Sequence, residues 1–136
     1  MSVGAWTPNN EVNKNGFRPE NTVLQVFIDL SQKELLETMA QDLEEDLRLT
    51  QHQMMRLSKE TWWEIAEGFS DDELQHLIRF FTRAEMLLSG WEAGAESPVI
   101  WLNKLLRKRG APLSREQLLW IKSNTTNKFI PNGALG

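Results

Sequence analysis

Ser70-Asp71-Asp72-Glu73-Leu74-Gln75-His76-Leu77-Ile78-Arg79-Phe80-Phe81-Thr82-Arg83-Ala84-Glu85-Met86-Leu87-Leu88-Ser89-Gly90 reads as one helix with both ends marked, and it decides the fold class. Ser70 and Glu73 make a capping box. The hydroxyl accepts the backbone N–H three residues on, and the carboxylate reaches back to the first N–H. Asp71 and Asp72 sit where the helix dipole favours negative charge. Leu74, Leu77, Ile78, Phe81, Ala84 and Leu88 then recur at helical spacing, and Phe80 and Leu87 widen the stripe. This is the most apolar helix of the chain, so it is expected at the centre of the core. Gly90 ends it.

The same punctuation repeats on both sides. Towards the N-terminus, Ser58 caps a shorter helix whose apolar face is Trp62, Ile65, Ala66 and Phe69, with Gly68 at its end. Towards the C-terminus, Ser97-Pro98 is a cap followed by proline at the first helical position, where a missing N–H costs nothing. That helix runs to Arg109, and Gly110 supplies the left-handed residue that stops it. Pro112 blocks resumption. Ser114 with Gln117 is another capping box and opens a helix to about Ser123.

Two segments read less simply. Val23 to Leu30 is rich in β-branched and aromatic residues, yet a lone strand leaves its backbone unpaired. It reads as a short helix or an extended arm packed on the bundle. Ser31 with Glu34 forms a further capping pattern, and Leu36, Ala40, Leu43, Leu47, Thr50, Met54 and Leu57 follow at alternating spacings of four and three. That stripe predicts one heptad-like helix from Gln32 to about Leu57, about 39 Å long at about 1.5 Å per residue. A seam of that length makes a homodimer plausible.

The expected architecture is all-α, an irregular bundle of about five helices with a disordered N-terminal arm and a polar C-terminal tail. Residues 1–20 form the arm, whose Pro8, Gly16 and Pro19 interrupt any pattern. Residues 21–136 form a single helical domain, and 136 residues suit one domain. No apolar export segment and no run long enough to span a membrane is visible, so the protein is expected to be soluble and cytoplasmic.

Catalytic chemistry is sparse. With no cysteine there is no thiolate nucleophile, disulfide or Cys-ligated metal. Glu73 and His76 give one Glu-x-x-His pair, whereas a di-metal bundle needs two such pairs and further glutamates. No glycine-rich phosphate loop and no serine nucleophile elbow occurs. The chain is expected to be no enzyme and to use no cofactor and no metal.

Charge is more informative. Residues 1–96 carry 8 Lys/Arg against 18 Asp/Glu, whereas residues 97–136 carry 7 Lys/Arg and only Glu116. The basic set is Lys104, Arg107, Lys108, Arg109, Arg115, Lys122 and Lys128. It either neutralises the acidic helices of the same chain or faces an acidic protein or nucleic-acid phosphates. Glu37, Asp42, Glu44, Glu45 and Asp46 form the opposing acidic face.

Adjacent Trp62 and Trp63 point about 100° apart on a helix, so one of the two reaches the rim. Trp62, Trp63 and Trp91, with Glu44, Glu45 and Asp46, are therefore the candidate partner-binding residues. The leading expectation is a non-catalytic regulatory or adaptor protein with a protein partner. The alternative is a DNA-binding transcriptional regulator. There, residues 98–128 form a helix-turn-helix-like unit presenting Arg115 and Gln117 to base edges, with Lys122 and Asn124 toward phosphates.

Overall fold

The computed structural model describes residues 17–133, and in it the segment quoted above is helical over Asp71–Leu87. Both halves of its capping box form: Ser70 Oγ accepts from the Glu73 N–H at 3.1 Å, and Glu73 Oε1 accepts from the Ser70 N–H at 2.9 Å. Among the described residues the chain is mostly helical and contains no strand. In chain order the α-helices are α1 (Asn21–Gln32), α2 (Met39–Asp42), α3 (Glu45–Thr50), α4 (Lys59–Ala66), α5 (Asp71–Leu87), α6 (Pro98–Lys108) and α7 (Arg115–Ser123). Short 3-10 turns cover Leu36–Thr38, His52–Arg56 and Gly94–Glu96. Among the described residues there are thus seven α-helices rather than about five.

α5 is the central element. α1 and α6 pack against it, and α4 packs on α6. The contact between α1 and α5 is aromatic. Phe27 stacks on Phe80 with ring centroids 4.0 Å apart, and Phe81 and Trp91 meet Phe27 edge-on at 6.0 Å. Trp62 of α4 closes the cluster against Phe81 at 5.4 Å. All five rings are almost wholly buried. Edge-to-face and stacked pairs of this kind add about 0.5–1.5 kcal/mol beyond the area they bury.

Val23 to Leu30 lies within α1 and is helical, with Leu24, Phe27 and Ile28 turned into the core. The predicted long helix Gln32–Leu57 does not form. α1 runs through Ser31 instead and ends in a Schellman motif: Leu35 N–H donates to Leu30 O at 2.8 Å and Glu34 N–H to Ser31 O at 3.1 Å. Glu34 takes the left-handed position at φ 60°. It is therefore the stop of α1, not the capping acid of a new helix.

A second break falls after α2, where Leu43 is extended. A continuous helix would set Asp42 beside Glu45 and Asp46 at three- and four-residue spacing, which is repulsive. The break places Glu45 and Asp46 in the first turn of α3, where the dipole favours them. The predicted stripe is divided accordingly. Leu36, Leu43, Met54 and Leu57 are buried in the chain's own core, while Ala40 and Thr50 are exposed. The continuous seam that made a homodimer plausible does not form.

The caps read from sequence at Ser58, Ser97 and Ser114 all form. Gly110 sits at φ +80°, and its N–H and that of Ala111 close the end of α6 onto the carbonyls of Arg107 and Leu106. The expected polar tail is instead packed as far as it is described. Ile130 is buried, and the buried Asn103 Nδ2 donates to Pro131 O at 3.1 Å. The expected arm lies mostly outside the described residues. Its last part is docked, with Pro19 buried and Arg18 paired to Glu64. No helix among the described residues is long and apolar enough to cross a membrane.

Two substitutions test this account. Phe27→Ala removes the ring that joins α1 to α5 and is expected to cost about 3–5 kcal/mol in urea unfolding. Glu34→Gly relieves a side chain held in the left-handed region and is expected to raise stability by about 0.5–1 kcal/mol. If Glu34→Gly destabilises, the α1 stop has been misassigned.

Candidate interaction surface

The tryptophans expected to bind a partner separate into two kinds. Trp62 and Trp91 are 0% and 1% exposed, so they have no surface to offer. Their indole N–H groups donate inward, Trp62 to Met54 O at 3.1 Å and Trp91 to Arg48 O at 3.0 Å. Both acceptors lie in the broken segment that the sequence reading took for one helix, so the two rings hold that segment to the core. Trp63 is half-buried. Its N–H donates to Trp101 O at 2.9 Å, and Lys59 and Lys108 each lie 4.9 Å from its ring centroid.

The acidic face divides as well. Glu37 is engaged: Arg83 of α5 donates to it through Nε and Nη2 at 2.7 and 2.8 Å. The third donor of Arg83 goes to Asn124 O at 2.7 Å, so one guanidinium joins the α1–α2 connection to the segment after α7. Asp42 accepts from Thr38 Oγ1 at 2.6 Å. Glu44, Glu45 and Asp46 are exposed and form no ion pair among the described residues. Beside them Leu49 is 64% exposed.

The basic set is mostly unneutralised. Arg109 alone of the seven forms an ion pair among the described residues, with Asp71 at 3.0 Å. It also donates to Ala66 O and Phe69 O, both at 3.0 Å, and so closes the end of α4 onto the start of α5. Lys108 lies over Trp63. The side chains of Lys104, Arg107, Arg115, Lys122 and Lys128 make no hydrogen bond or ion pair among the described residues, and all but the half-buried Lys104 are exposed. Direct internal pairing with an acid is therefore made by Arg109 alone of the set among the described residues, while Arg107 and Lys108 lie in the last turn of α6, where they complement the negative end of their own helix.

α6, the turn through Gly110 and Leu113, and α7 form the predicted hairpin. α7 buries only Ile121 and lies on the outside of the molecule. Arg115, Leu119 and Lys122 fall on one face of it at four- and three-residue spacing. Leu119 is 54% exposed. Sequence reading missed Leu119, because the neighbouring Leu118 and Ile121 gave the helix an apolar stripe without it. Gln117 is not free to meet a base edge, since its oxygen caps α7 and its amide donates to Gln75 Oε1 at 3.0 Å.

The Glu-x-x-His pair is dispersed. Glu73 serves the cap of α5, and its carboxyl is held below the ordinary glutamate range chiefly by the Ser70 backbone N–H. His76 Nδ1 lies 2.8 Å from Ser31 Oγ. Among the described residues no three acidic, histidine or cysteine side chains gather as metal ligands would.

One buried acid does stand out. Glu85 of α5 is 6% exposed, and Oε1 accepts from Asn127 Nδ2 at 3.0 Å and from the Ala93 N–H at 3.3 Å. Asn127 also donates to Gly94 O, so this carboxyl gathers the loop before α6 and the segment after α7. Burial raises its pKa, opposed first by the Ser97 hydroxyl.

No known protein family, curated protein or solved structure matches the chain at a significant level.

Glu85 carries a pH signature. A carboxyl whose folded pKa is raised favours the folded state while protonated. That contribution is lost as pH rises from the ordinary glutamate range through the folded pKa. Glu85→Gln keeps the acceptor for Asn127 and Ala93 and does not titrate. The difference in Tm, Glu85→Gln minus parent, is expected to grow as pH rises through that window. The opposite trend from Glu73 is present in both proteins and cancels. A difference independent of pH would show that Glu85 does not titrate differently on folding.

Proposed function

We propose that the chain is a non-catalytic, cytoplasmic regulatory or adaptor protein that engages an acidic protein partner through its basic α6–α7 face. The observation that carries the reading is the pairing pattern: five of the seven cations of residues 97–136 have no partner among the described residues. Unpaired surface charge of one sign steers an oppositely charged partner and fixes its orientation. Leu119, between Arg115 and Lys122, supplies an apolar centre for a polar rim, the ordinary arrangement of a protein interface. Glu44, Glu45, Asp46 and Leu49 offer a second surface of opposite sign.

The hairpin also favours a second reading, a DNA-binding regulator that uses residues 98–128. α7 is an outward helix after a glycine turn, as a recognition helix is. Two features weigh against it. Glu116 sits in the first turn of α7, the part a recognition helix directs at the bases, and Gln117 is committed to Gln75.

The test combines two measurements on the variant Arg107→Glu/Arg115→Glu/Lys122→Glu, which leaves Arg109 in place. A protein retained by the parent from a lysate is identified and its affinity measured with purified material. The triple reversal is expected to weaken it at least about tenfold, as is raised salt. Fluorescence anisotropy with random duplex DNA between about 50 and 200 mM salt is expected to show no binding that falls steeply with salt. Steep, salt-sensitive DNA binding that the triple reversal abolishes would move the DNA reading to first place. A partner that binds the reversed protein equally well would remove this face from the function.

A further inference from the structure

Between α5 and α7 lies a cleft of about 310 Å³. Its floor is apolar, made by Ile78, Leu113 and Ile121, all buried. Its wall is the pair Arg79 and Trp120, with the guanidinium 4.6 Å from the indole centroid. Arg79 Nε donates to Ser31 Oγ at 3.3 Å. Among the described residues the two Nη groups have no hydrogen-bond partner and Arg79 forms no ion pair.

This arrangement has the physical features an anion receptor needs. A guanidinium lying against an aromatic face is held by cation–π attraction and loses little freedom when it binds. Its remaining N–H donors match the two oxygens of a carboxylate. Gln75 adds amide N–H donors: its oxygen accepts from the Gln117 amide, and its own nitrogen has no partner among the described residues. The volume is at the lower end of what small-molecule sites offer. The occupant is therefore compact, with an apolar body to cover the floor. Glu116 also lines the cleft and opposes negative charge there, which limits the occupant to the single charge that Arg79 offsets.

We propose that the cleft between α5 and α7 binds a small organic monocarboxylate, its carboxylate paired with Arg79 and its apolar body laid on Ile78, Leu113 and Ile121. The inference is independent of the partner assigned to the basic face. It adds a coupling, since a ligand bridging α5 and α7 touches the inner side of the helix that presents Arg115, Leu119 and Lys122 outward.

The test is a titration of the full chain with straight-chain carboxylates from acetate to octanoate and with benzoate, followed by two-dimensional amide and indole NMR. Hexanamide, benzamide and hexylamine serve as uncharged and cationic controls. At least one carboxylate is expected to saturate below about 10 mM, shifting the Trp120 indole and Arg79 Nε signals, while its amide does not. Arg79→Gln is expected to weaken that ligand about tenfold or more, and Arg79→Lys to weaken it less. Should Arg79→Gln disturb the fold by circular dichroism, Gln75→Leu is the second variant, with a few-fold loss expected. Absence of saturation by every carboxylate, equal binding by the matching amide, or binding unchanged in both the Arg79→Gln and Gln75→Leu variants would overturn the proposal.

Discussion

The face-to-face contact of Phe27 with Phe80 is the join on which the remaining structure depends. It fixes α1 on α5, and Phe81, Trp91 and Trp62 close around it at edge-on angles. A buried ring supplies much apolar area, but a buried indole also carries a donor that has to be satisfied. In this protein the donors of Trp62 and Trp91 are met by carbonyls of the segment between α2 and α4. Those carbonyls are available because that segment is broken into short helices. Irregularity there and tryptophan in the core are two sides of one arrangement.

α5 serves a second purpose with its charged residues. Arg79 reaches Ser31 and Trp120, Arg83 reaches Glu37 and Asn124, and Glu85 reaches Asn127 and the loop before α6. Three charged side chains within about two turns of α5 thus hold the end of α1 and the connection after it to α7 and the segment after it. Polar groups held this way cost stability if a partner is removed, which is why buried networks specify one arrangement. The cations that no such network consumes, on α6 and α7, are the ones left to face outward.

What was legible in the sequence was local. The caps at Ser58, Ser70, Ser97 and Ser114 and the stop at Gly110 are written within a few residues of the groups they satisfy. The misreading at Ser31–Glu34 has the same root. A serine followed by glutamate at that spacing opens a helix at Ser70, yet at Ser31 the chain is already helical from Asn21. Nothing local to Glu34 announces a left-handed conformation, which glycine usually marks. The heptad stripe was misleading because breaks at Glu34 and Leu43 still return Leu36, Leu43, Met54 and Leu57 to one core. Composition disclosed the basic set but not its pairing. Arg109 differs from Arg107 only through the ends of α4 and α5, some 40 residues away. The cleft at Arg79 and Trp120 was illegible for the same reason, since it exists only once α7 lies beside α5.

The long sequence separation of the Phe27 contact has a consequence for how the chain comes off the ribosome. α1 is made before the rings it needs, since Phe80, Phe81 and Trp91 follow Phe27 by 53, 54 and 64 residues. Until then Leu24, Phe27 and Ile28 form an amphipathic stretch with no partner from their own chain. The segment after α7 adds a further delay, because Ile130 and the carbonyl that Asn103 needs are made only after α6 and α7. The core around Phe27 therefore cannot close until α5 and Trp91 have been made, and until then the apolar face of α1 is uncovered by them.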